Sequence, residues 1–517
     1  MTTSAALARN ISDRLGFGPR PGDLAAITHM GAERWIEQQL HPQSIPLSRD
    51  LTARLADMPA LSLTPFEALR TYGPAAARGP DGKVDPERQK ELRVQARFIP
   101  AQAVEARLVR AVESPRQLEE ALVDFWFNHF NVFVGKGLDG LWITSYDEDA
   151  IRPHVLGRFR DLLGATAHHP AMLFYLDNWQ NSAAGRPGAR GAFKGLNENY
   201  ARELMELHTL GVDGGYSQDD IIALARILTG WGFGGRGGDG PGGMETAPRP
   251  PRERLKLARQ IRQTGGFIFS EERHDFSDKT FLGHTIKGRG EAEGDDALDI
   301  LALHPATARH ISFKLAQYFL ADTPEPAVVD GMSRTFQKSG GDITAVLKAL
   351  FASKAFLDPA GYGTKFKTPL RYAVSAVRAT GQPLKNFRPL FGVLTQLGQA
   401  PYACQTPDGY KCTEDAWLNA DAMTRRITFA IALCAGRLPL QSDPPDKPLP
   451  IRQSQRVADQ AAQQMENAPV RGPAVDAAQL AETLGQHFSD NTRAAIDAAQ
   501  PELRASLMLG GPEFMRC

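Results

Sequence analysis

The chain reads as mainly α, a multi-helical, bundle-like architecture joined by long glycine- and proline-rich loops. Apolar residues recur at helical spacing over residues 23–40, 92–113, 115–133, 219–229, 343–355 and 416–435. Nothing resembles a series of alternating strands with hairpin turns between them. Helix starts carry capping residues: Ser114 stands before Pro115, and Ser217 before Gln218, Asp219 and Asp220, whose charges suit a positive helix N-terminus.

Taken in chain order, residues 23–40 supply the first long amphipathic helix, and the turn-rich stretch GPAAARGPDGKVDPER at 73–88 interrupts the pattern before it resumes at 92. Within 115–133 the run DFWFNHFNVF places Trp126, His129, Phe130 and Phe133 on one side of a helix and Asp124, Asn128 and Asn131 on the other. His129 therefore projects among aromatic rings, as a satisfied core histidine or as a functional one. Glycine-rich stretches at 181–196 and 232–251 bracket a polar segment, NENYARELMELHTLGVDGGYSQ at 197–218, and read as flexible insertions or lids.

As one helix, that polar segment sets Asn199, Glu203 and Glu206 on one face and Tyr200, Leu204, Leu207 and Gly211 on the next. Two carboxylates a turn apart repel unless a metal ion, a proton or an arginine intervenes, and Arg202 is adjacent. After the second insertion comes RHDFSDKTFLGHTI, with His274, Asp275, Lys279 and His284. His274 and Asp275 read as a metal ligand with its orienting carboxylate, as a general base, or as a turn capped by Asp275. His304, before a proline, marks a helix start. A proline-rich linker, QSDPPDKPLP at 441–450, leads to a closing helical segment.

At 517 residues the chain exceeds the size at which one core usually stops growing. The expected parts are an N-terminal helical lobe (1–231), a glycine-rich basic insertion (232–266), a C-terminal helical lobe (267–440) and the linker with its closing segment (441–517). Lysine plus arginine, 59, equals aspartate plus glutamate, 59, without long charge blocks, which argues against nucleic acid or an anionic membrane as partner. The apolar stretch at 427–436 is far short of the roughly 20 residues of a membrane span. The N-terminus shows no charged segment leading into an apolar one, so no export signal is expected there. Cys404 and Cys412 flank one turn-rich loop and could meet, although free thiols are the simpler reading, and no CxxC occurs.

HExxH, GxSxG, a phosphate-binding GxxxxGK[ST] and a dinucleotide-binding glycine fingerprint are all absent. The paired Glu-x-x-His of carboxylate di-iron bundles is not met by Glu203, Glu206 and His208; Glu271 and His274 alone have the spacing.

The ordered set RLGFGPRPGDL, DFWFNHFNVF, PAMLFYLDNWQNS, NENYARELMELHTLGVDGGYS, ALARILTGW, HDFSDKTFLG, HPATARHISFKLAQYF and LGGPEF resembles, almost end to end, the bacterial domain-of-unknown-function-1800 family. The resemblance implies a helical protein of unassigned activity. It also implies a gene neighbour encoding an exported sulfatase-like or alkaline-phosphatase-like protein, and hence a periplasmic or envelope setting. The family motifs fall on Asp124, Trp126, His129, Asp177, Asn178, Asn197, Glu198, Asn199, Arg202, Glu203, Glu206, His208, Trp231, His274, Asp275, Lys279 and His304.

Two functional expectations follow. In the first the protein is an enzyme with Glu203, Glu206, His129, His274 and Asp275 in one cavity, and a divalent metal ion on Glu203, Glu206, His129 and His274 relieves the carboxylate repulsion. In the second it is a non-enzymatic scaffold or escort for the exported partner, with Glu203, Glu206, Arg202 and Arg226 in a buried ion-pair network.

Overall fold

The computed structural model describes residues 4–79, 81–186, 188, 195–234, 265–445, 449, 469–470, 472–485 and 488–517. The protein is 61% helical and 4% strand, so it is mainly α. Most of the 232–251 stretch, and residues 446–448 and 450 of the linker, lie outside the described residues.

Helices form where the periodicity predicts them, but the long ones are subdivided. The 23–40 stretch is two helices, Asp23–Met30 and Ala32–Gln39, separated by Gly31 at φ +91°. Residues 92–113 span the end of Pro86–Gln95 and all of Phe98–Glu113. Residues 343–355 break between Ile343–Phe351 and Lys354–Leu357, where the Ser353 hydroxyl accepts from the Phe356 amide. Residues 416–435 break at Asn419, whose side chain caps Ala420–Cys434. Apolar periodicity reports which face is buried, and a polar side chain that bonds the backbone locally ends a helix without disturbing that face.

The expected cap at Ser217 forms a reciprocal capping box with Asp220 ahead of Gln218–Ile227. Ser114 does not cap a helix at Pro115: its hydroxyl accepts from the Arg116 amide, and the aromatic helix starts later, at Gln117–His129. His304 does begin a helix, Pro305–Phe319, and Nδ1 of its ring accepts from the Ala306 amide. His169 does the same for Pro170–Tyr175.

Two short antiparallel hairpins escaped the sequence reading: Trp231–Phe233 with Phe267–Phe269, which closes the base of the insertion, and Lys279–Phe281 with His284–Ile286. Three-residue strands are too short for alternation to register.

Apart from Phe66 and Ile268, which form a small second cluster, most buried apolar residues between Ala8 and Met515 form one contiguous cluster. Helix Ala5–Leu15 ends inside it, where its last carbonyls cannot reach water. The buried helix Pro369–Ala379 answers them: Arg371 donates to the carbonyls of Asp13 (3.0 Å) and Gly16 (3.3 Å), and Arg378 to that of Gly18 (2.8 Å). Two guanidiniums at a helix C-terminus also suit its negative pole. This accounts for the RLGFGPRPGDL motif as a joint between the chain's start and its C-terminal third. All four cysteines are free thiols. No helix among the described residues is long and apolar enough to cross a membrane.

Candidate functional site

The aromatic helix places His129 as expected, at 3% exposure against Phe125, Trp126 and Phe130. Its opposite face is occupied. Asp124 accepts from Arg107 (2.8 Å) and from the Tyr318 hydroxyl (2.9 Å). Asn128 exchanges two 2.7 Å bonds with the Tyr410 backbone, and Asn131 donates to the carbonyls of Cys404 and Thr406. These amides clamp the 403–412 loop over the helix.

The polar segment departs from a regular helix. It is α-helical only over Asn199–Glu203 and widens into a π-turn at Leu204–His208. In such a turn residues five apart come into line. His208, five after Glu203, consequently turns inward to 1% exposure, with its ring centroid 6.1 Å from that of His129. His310 on Pro305–Phe319 completes the group, 6.2 Å from His129. The rings of His129 and His310 lie 3.1 Å and 3.3 Å, through Nε2, from the carbonyl oxygens of His208 and Leu207. A carbonyl only accepts, so each Nε2 carries the proton, and the two rings satisfy carbonyls freed at the end of the π-turn. Nδ1 of His129 and Nε2 of His208 are buried without a hydrogen bond among the described residues. Gly211, at φ +85°, keeps the turn close: a Cβ there would stand 2.9 Å from Nδ1 of His310.

Burial holds all three histidines neutral, with Lys314 adding to the effect. His129 is shifted well below its ordinary value, His208 is pushed down to about 3 and His310 to about 4. Burial likewise lowers the pKa of Lys314, whose ammonium has no hydrogen-bond or ion-pair partner among the described residues. Glu203 is half-buried and equally without a partner; burial, then the charge of Glu206, raises its pKa. Asp408 of the clamped loop lies within electrostatic reach of both Glu203 and Lys314. Glu206 is taken by Arg202 at 3.4 Å, and Arg202 also meets Glu198 at 3.3 Å.

His274 and Asp275 stand apart from this group. His274 is fully buried: Nδ1 meets the Thr229 carbonyl at 2.8 Å and Nε2 meets Glu293 at 2.9 Å. Glu293 also accepts from Lys279 at 2.5 Å and from the amides of Arg289 and Gly290. Asp275 binds Arg226 at 2.7 Å and turns back onto Ser277. Burial would raise its pKa, but the bonds from Ser277 and Arg226 outweigh that and bring it to about 2. No ring or carboxylate partner is common to His274 and His129. Among the described residues the expected site residues therefore fall into two sets of contacts, one with every polar group answered and one with several left open. Nor do Glu203, Glu206, Arg202 and Arg226 form one network, since Arg226 belongs to the Asp275 centre. Among the described residues no group of three His, Cys, Asp or Glu could hold a metal ion.

His310, Lys314 and Asp408 were not among the sequence candidates. His310 and Lys314 lie four apart on one helix, and that spacing was the available signal; nothing local ties Asp408 to them.

The fold and this geometry define a class: a mainly helical protein with a buried, neutral histidine cluster close enough to Lys314 to feel its charge, and with Glu203 and Lys314 both lacking a side-chain partner among the described residues. The chain belongs to the family described as protein of unknown function (DUF1800), whose model matches residues 10–516. No curated protein and no solved structure matches it.

Proposed function

We propose that the protein is an enzyme that performs general acid–base catalysis on an anionic substrate at the site framed by Glu203 and Lys314. What carries this reading is that Glu203 and Lys314 each lack a side-chain partner among the described residues, while two imidazole nitrogens within electrostatic reach of Lys314 are buried and unbonded among them. Native interiors pair their polar atoms, so two buried imidazole nitrogens left open near a lysine support a ligand there. Glu203, with its pKa raised, is the general acid. His129 and His208, kept neutral, accept or relay the proton. Lys314 holds the negative charge, because Lys411 is taken by Asp408 at 2.8 Å and Arg202 by two glutamates. Glu206 positions Arg202; His274 and Asp275 support the neighbouring loop. No step of this passes through a metal ion.

The test is turnover of chromogenic phosphate, sulfate and carboxylate esters by the purified protein. Glu203→Gln and Lys314→Met should each lower it by about 10²–10⁴-fold with unchanged circular dichroism. Equal turnover in the variants, or none with any ester, decides against the enzyme.

A second reading, a scaffold or escort for an exported sulfatase-like or alkaline-phosphatase-like protein in the envelope, is favoured by the closed His274, Glu293 and Lys279 centre. Under it, the partner co-purifies with wild type and with Glu203→Gln alike.

A further inference from the structure

A separate cleft of about 1040 Å³ opens between Tyr72, the segment from Gln89 to Pro100 and the glycine-rich turn after Val134. Sites for small organic ligands commonly measure roughly 300–1,000 Å³. Gly135, Gly137 and Gly140 line one wall and contribute no side chains. At Gly137, with φ +49°, a Cβ would lie 2.8 Å from the ring of Phe174, so only glycine leaves that wall open.

The remaining surface has a consistent chemistry. Tyr72, Phe174 and Trp179 present aromatic rings to the cleft, and Phe174 stacks on Trp179 at 5.9 Å. Nε1 of Trp179 is buried with no acceptor among the described residues. Arg93 and Arg97 are exposed lining residues, and neither side chain has an ion-pair or hydrogen-bond partner among the described residues. The described lining includes no aspartate or glutamate. Asp139, between the lining residues Leu138 and Gly140, is fully buried, and burial holds its carboxyl uncharged. The cleft therefore combines the positive charge of Arg93 and Arg97 with aromatic rings, and its described lining carries no opposing negative charge.

We propose that this cleft binds an organic carboxylate with an extended apolar body, its charged end met by Arg93 and Arg97 and its body laid against Tyr72, Phe174 and Trp179. Guanidinium groups match a carboxylate in shape and donors. At exposed positions they select the anion more than they add affinity, which comes from the apolar contact. This assignment stands independently of the acid–base site.

Laurate is a suitable probe, titrated into the full-length protein by calorimetry and tryptophan fluorescence, with dodecanol and dodecyl phosphate as comparisons. The expected result is one laurate per chain, bound at least tenfold tighter than dodecanol. The double variant Arg93→Gln/Arg97→Gln should erase that preference while dodecanol affinity and circular dichroism stay unchanged, as suits exposed positions. Trp179→Phe should abolish the fluorescence response. No laurate binding, equal affinity for laurate and dodecanol, wild-type laurate affinity in the double variant, or a response that survives Trp179→Phe would each overturn the proposal. Tighter binding of dodecyl phosphate would overturn the carboxylate assignment.

Discussion

A carboxyl group with no exposure and no hydrogen bond to either oxygen among the described residues, as at Asp139, is kept uncharged because burial favours the neutral form. Its folded pKa is well above the unfolded one. The stability this group contributes is fully present below the unfolded pKa, about 3.9, and is lost as pH rises through the folded value. Asp139→Asn removes that loss. Its melting temperature should exceed wild type at pH 7 by the equivalent of about 1–2 kcal/mol, and the two proteins should converge below about pH 4. A variant that is less stable than wild type at pH 7 would show that Asp139 is ionised and bound by something the fold provides. Its opposite is Glu293, equally buried but met by an ammonium, an imidazole and two amides. The contrast shows why burial alone does not mark a site: what matters is whether the protein has supplied the partners.

Two elements set the candidate site, and each depends on how one segment is held by another. The π-turn at Leu204–His208 swings His208 inward, and His129 and His310 bond its terminal carbonyls, so the cluster and the turn stabilise one another. The 403–412 loop brings Asp408 within electrostatic reach of Glu203 and Lys314, and Asn128, Asn131 and the Tyr175 hydroxyl are among the groups that bond its backbone. Asn128→Ala removes a donor and an acceptor that both serve Tyr410. It should cost about 2 kcal/mol and raise amide hydrogen exchange selectively across residues 403–412. Uniform exchange throughout the chain would mean that the loop is held by other contacts.

Three buried histidines from different parts of the chain, His129, His169 and His208, make the whole molecule sensitive to acid. Each has a depressed folded pKa, about 3 for His169 and His208, and burial is the largest cause in all three. Unfolded histidine binds a proton near pH 6.5, so below that value the unfolded chain holds more protons than the native one. Stability should fall as pH drops from about 6.5 towards 3, by up to about 1.4 kcal/mol per pH unit for each histidine. Urea midpoints measured across that range would check it. A flat or rising profile would require the histidines to be protonated in the native state.

Much of this was legible from local patterns. Helical periodicity located the helices, and Ser217 and His304 marked two of their starts. In the 124–133 run, helical as far as His129, the predicted aromatic side buries Trp126, His129 and Phe130, whereas Phe133 is half-buried and Asn131 of the other side is buried. These follow from interactions within a few residues, which any sequence window contains. Helix breaks at Gly31, Ser353 and Asn419 were hidden because a cap leaves the apolar face intact. The site was only half legible. His129 and Glu203 are among the residues of the proposed site that the sequence singled out, but His208 appeared to lie on a different side, because the helical wheel assumes a regular α-turn and the chain makes a π-turn instead. His274 and Asp275 looked equivalent to them in composition. Their partners, Thr229, Glu293 and Arg226, are 45, 19 and 49 residues distant in sequence, and those bonds close the group. Which polar residues are answered and which are left open depends on contacts between remote segments, and such contacts exist only once the core has brought those segments together.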